Sequence, residues 1–187
     1  MNRTTSALLA CGALLLAAAA DAADWISRSN ANAQILLDVQ ARYSPESASA
    51  SGVLGHDADV MDLKPGFSER QEADLLAAQQ RLQGLIDQES DPRVRQDLEI
   101  LVSSAKTQRE SLAINRKLMV PYFDLGQAVF GGFQKLLHSG VAHDRQEQAL
   151  LRLRRYAGRD KGYEPIATLA RQRLAEGLQQ PQLVTPW

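Results

Sequence analysis

The run "GHDADVMD" gathers one imidazole and three carboxylates, His56, Asp57, Asp59 and Asp62, within seven positions. That donor set suits a hard divalent cation. The spacing, however, lacks the alternating oxygen ligands and the closing bidentate Glu of a calcium loop. Asp, Gly and His are also ordinary turn residues, because short polar side chains bond their own backbone. The run is therefore expected to be loop structure. His138 and His143 are five residues apart with Gly140 between them, a spacing that turns past one helical face. Catalytic zinc usually needs about three protein ligands, often two His with a Glu beside the first. No His-Glu pair occurs in the chain. Nucleophile-elbow and phosphate-loop patterns are absent too, and Ser51-Gly52 and Ser139-Gly140 have no neighbour that would activate a hydroxyl. No catalytic, cofactor-binding or metal residue is assigned, and no cofactor is expected in this chain.

Charge points the same way. The 21 basic and 22 acidic residues leave a net charge of −1, which steers the chain toward neither nucleic acid nor an anionic membrane. Arg152, Arg154, Arg155, Arg159 and Lys161 are interleaved with Asp144, Glu147, Asp160 and Glu164, the pattern of a solvated helix face laced with ion pairs. Phe130 and Phe133, with Leu150, Leu151 and Leu153, are expected in the core.

The opening "MNRTTSALLACGALLLAAAADAADW" places Arg3 before an apolar run from Ala7 to Ala20, closed by small residues. It is too short for a comfortable span and reads as a secretory signal, residues 1–22, cleaved after Ala22. The chain is thus expected to be exported, periplasmic or secreted, with no membrane association after cleavage. "LLAC" at Cys11 has the look of a lipoprotein box, but the longer apolar run follows it rather than precedes it, so a lipid anchor is disfavoured. Cys11 is the only cysteine and leaves with the signal, so the mature chain must hold itself by packing alone.

The elements that would position any site read as helices. Aromatics make up only 5% of the chain, and Ala, Leu, Gln, Arg and Glu are abundant, which favours helix over sheet. One helix is expected from Asp24 to about Arg42, stopped by Pro45. An irregular connector follows at about 44–67. "SERQ", Ser68 to Gln71, has the capping-box spacing, and Leu75, Ala78, Leu82, Leu85 and Ile86 then recur at helical intervals. Asp91 and Pro92 suit a cap and first turn, and the stripe Val94, Leu98, Leu101, Val102, Ala105 and Leu112 follows. The short join makes these two helices an antiparallel hairpin. Pro121 opens a segment with Phe123, Gly126, Phe130, Phe133 and Leu137 on one face, where Gly131 and Gly132 allow a close neighbour. "RQEQALLRLRRYAG" ends at Gly158, and a last helix carries Ile166, Leu169, Leu174 and Leu178. The expected fold is all-α: five or six amphipathic helices in an antiparallel, bundle-like arrangement.

The stretch "SPESASASGVLGHDADVMDLKP" resembles the opening pattern of the bacterial domain-of-unknown-function family 885, in which a Pro-Glu-x-Ala/Ser run precedes an Asp-rich connector and a long helix. "VPYFDLGQAVFGGFQKLL" and "ALLRLRRYAGRDKGYEPIATLARQRL" are similar to stretches of the same helical region, so the likeness runs from about Trp25 to Leu174. The resemblance implies an exported, zinc metallopeptidase-like protein whose metal motif, His-Glu-x-x-Pro-Gly-His, lies well downstream. That motif does not occur in this chain, so no site residue carries over, and zinc is expected only in a full-length member. The domain at 23–187 is then expected to be the N-terminal helical part of a longer peptidase-like protein, with the C-terminal catalytic part or another periplasmic protein as partner. A free-standing periplasmic helical interaction module is the alternative. An enzyme complete in these residues has no supporting constellation.

Overall fold

The computed structural model describes residues 24–184, all-helical with seven helices and no strand among those residues. The expected signal segment, with Cys11, lies outside them. Helix α1 covers 24–43, α2 Pro45–Ala50, α3 Phe67–Ile86, α4 Pro92–Leu118, α5 Leu125–Leu136, α6 His143–Tyr156 and α7 Ile166–Leu178. Among the described residues no helix is long and apolar enough to cross a membrane.

The hairpin of α3 and α4 forms as its spacing predicts. Asp91 caps α4 by accepting from Arg93 N, and Pro92 occupies the first helical position. Leu82, Ile86, Val94 and Leu98 make one buried cluster near the turn, and Leu75 with Ala105 makes another farther along, the order of antiparallel neighbours. Helix α1 lies against both, contributing Trp25 and Ile35 to the first cluster and Leu36 and Val39 to the second. Arg28 ties α1 to the hairpin turn through Glu89 at 2.7 Å.

The second half of the core gathers Tyr156 of α6 and Ile166, Leu169 and Ala170 of α7 around Leu63 of the connector. Here the structure departs from the sequence expectation. Pro45 does end α1, but it also starts α2, since its ring suits a first helical turn. The connector is not merely a break facing water, because Leu63 is fully buried and Glu46, Ser49 and Asp57 are buried with it. The expected capping box does not form either. Gly66, at φ +74, turns the chain so that α3 begins at Phe67, and no side chain caps that end. Phe67 fixes the register instead, packed edge-on against Tyr43 at 5.3 Å and Phe123 at 6.0 Å.

Two apolar assignments are corrected. Phe130 of α5 and Leu137, its C-cap, stand 67% and 60% exposed, and Leu150 and Leu153 of α6 stand 67% and 48% exposed. The buried face of α5 runs instead through Gly132 and Leu136, with Leu125, Val129 and Phe133 packed on the core. Gly132 admits a close neighbour as expected. A Cβ there would lie 3.1 Å from Tyr156 Oη and 3.3 Å from Arg152 Nη1. The end of the described chain is not loose: Val184 bridges to Met119, with Val120 N donating to Val184 O at 2.9 Å.

Candidate functional site

The acidic run is held by arginines of α6, 88 to 97 residues farther along the chain. Arg145, Arg152 and Arg155 recur at seven and three residues, which puts them on adjoining strips of one helix. Arg145 grips Asp57 with two bonds, Nε at 2.8 Å and Nη2 at 2.7 Å, and Nη2 also donates to Ser49 O. Ser49 Oγ donates to the same carboxylate at 2.6 Å. These donors, Arg145 foremost, hold the Asp57 carboxyl below its ordinary range against the opposing effect of burial. Arg155 donates to Ala58 O at 3.0 Å and to Asp59 Oδ1 at 2.8 Å, and pairs with Asp160. His56 Nδ1 lies 3.1 Å from the other oxygen of Asp59. Asp62 turns away to Arg70 at 2.9 Å.

Arg152 is the largest departure from the sequence reading. It was expected on a solvated face, yet its exposure is 0%, while Arg154, Arg159 and Lys161 do lie in water. Arg152 donates to His56 O at 2.7 Å and to Gly132 O at 3.2 Å, adding a charged donor to two carbonyls, one in the connector and one in α5. Beside it Tyr156 Oη donates to Glu46 Oε1 at 2.8 Å, and Met61 N donates to the same oxygen at 3.0 Å. Burial and the neighbouring Glu46 carboxylate push the Tyr156 phenol far above its ordinary value, so it stays a donor.

The three carboxylates of the acidic run are thus divided among three arginines, Arg145, Arg155 and Arg70. Among the described residues no group of three or more His, Cys, Asp or Glu is arranged to hold a metal ion. His138 accepts from Gly140 N at 3.2 Å, and His143 stands in solvent 3.4 Å from Glu147. Ser51 ends α2 and Ser139 lies in the exposed α5–α6 turn.

An opening with room for a ligand borders the end of the connector at Pro65 and Gly66. A cleft of about 750 Å³ runs between the start of α3, the end of α4, the 119–123 segment and α7. Tyr43, Phe67, Phe123 and Leu183 contribute apolar walls, and Arg116 and Arg173 the cations. Arg116 is neutralised by Glu72 at 2.6 Å and Glu69 at 3.3 Å. Arg173 differs: its guanidinium stacks over Phe67 at 5.0 Å and Phe123 at 5.3 Å. Sequence reasoning missed this residue, since an Arg on a helical face carries no local signal of an aromatic partner from another segment.

No protein-family model, no curated protein and no solved structure matches this chain.

Proposed function

We propose that this chain is the exported, helical, non-catalytic part of a metallopeptidase-like protein, and that the outer faces of α5 and α6 dock its catalytic part. The resemblance of residues 44–65, 120–137 and 149–174 supports the kinship. The observation that carries the docking role is the pair of neighbouring helices exposing Phe130, Leu137, Leu150 and Leu153, each about half or more exposed, while α6 buries an arginine instead. Large apolar side chains turned outward on adjacent elements suit a protein contact. The experiment is peptide hydrolysis by the purified chain from residue 23, with and without a chelator. No cleavage is expected, and chelator-sensitive cleavage overturns the reading. Coding DNA that continues past Trp187 into His-Glu-x-x-Pro-Gly-His is the genetic test.

The alternative, a free-standing periplasmic interaction module, is favoured by the ties from α6 to the connector. Arg145–Asp57 and Arg155–Asp59 close contacts within the chain that need no partner. Thermal circular dichroism with size-exclusion chromatography separates the two. A monomer with one sharp transition supports the free-standing module, whereas a broad melt with self-association supports a docking part deprived of its partner.

A further inference from the structure

The cleft beside α7 carries an inference that requires no protein partner. We propose that Arg173 is the anchor of a binding site for a small monocarboxylate with an apolar body. The guanidinium carbon packs against both Phe67 and Phe123, two rings set at right angles to each other, and most of its donors have no partner among the described residues. Among the described residues its hydrogen bond is a long one, 3.4 Å to Ser68 Oγ. Glu69 and Glu176 act on it only through space, and neither bonds to it. Burial pulls its pKa down, the sign of a cation partly stripped of water without a bonded counter-ion. A planar carboxylate is the group that such a fork bonds best.

The rest of the lining selects the ligand further. Arg116 and Arg173 face Glu69 and Glu176, and Glu72 pairs with Arg116 as well, so the cleft has no surplus positive charge to hold a dianion. Leu112, Met119, Val120 and Leu183, with Tyr43 and Phe67, supply the surface for an apolar body. A volume of about 750 Å³ accommodates a small organic molecule.

The test titrates the full chain with 3-phenylpropanoate, its neutral amide and 2-phenylethyl phosphate, read by calorimetry and by the Nε–H resonance of Arg173. Saturable binding of the carboxylate is expected at about millimolar strength, with the amide and the dianion about tenfold weaker or worse. Arg173→Gln should weaken the carboxylate by about tenfold, with Arg173→Lys between the two. Equal affinity for acid and amide, absence of saturation, or tighter binding of the phosphate overturns the proposal. The acid–amide comparison on the unaltered chain decides even if a variant fails to fold.

Discussion

Replacing Arg152 by Met is the sharpest test of how the connector is held. Methionine keeps much of the length and volume of the side chain but removes every donor. Two carbonyls, His56 O at 2.7 Å and Gly132 O at 3.2 Å, then lose a charged partner in an interior where Arg152 itself is 0% exposed. Hydrogen bonds to charged groups contribute about 1.5–3 kcal/mol each, and each carbonyl keeps its backbone donor, Asp59 N for His56 and the α5 ladder for Gly132. A loss of about 3–4 kcal/mol is therefore expected, the weaker bond to Gly132 contributing less. With a urea dependence of about 1–3 kcal/mol per molar, the midpoint should fall by roughly 1 M or more. Arg154→Met is the control, since Arg154 lies in water two residues away and should shift stability by no more than about 0.5 kcal/mol. Equilibrium urea unfolding, followed by circular dichroism, reads both. If the two variants unfold within about 1 kcal/mol of each other, Arg152 is not what holds the loop.

Other consequences are equally direct. Gly158→Ala should cost about 2 kcal/mol or more, because φ is +66° and the new Cβ would lie 2.5 Å from the Pro165 nitrogen; thermal melting reads it. Asp91→Ala should cost about 1 kcal/mol as a lost cap, whereas Ser68→Ala should be nearly neutral in urea unfolding, since Ser68 caps nothing. Acid should destabilise the fold. Asp57 and Glu89 have folded pKa values below the ordinary 3.8 and 4.5, and Asp91 is lowered to about 2, so the unfolded chain takes up protons first. Their contribution is complete above about pH 5 and fades as pH falls toward 2, a decline that Asp57→Asn should flatten in a pH series of melting temperatures.

Helices and their stops were legible in local spacing. The stripes of α3 and α4, the Asp91-Pro92 start and the Gly158 end rest on contacts within a few residues, which periodicity and turn chemistry report directly. The capping box at Ser68 failed because Phe67 found two aromatic partners, Tyr43 and Phe123, and their packing set the helix start.

The sequence by itself determined that this chain is helical, where its hairpin turns, and that its acidic run is a connector between helices. Tertiary structure alone decided that the connector belongs to the core, that Arg152 is buried while Leu150 and Leu153 face out, and that Arg173 packs against two aromatic rings. The physical reason is range. Helical period is written in neighbours three and four residues apart, but an irregular loop has no regular ladder to hold its carbonyls. The donors that satisfy them come from arginines almost a hundred residues away, where no local pattern can announce them.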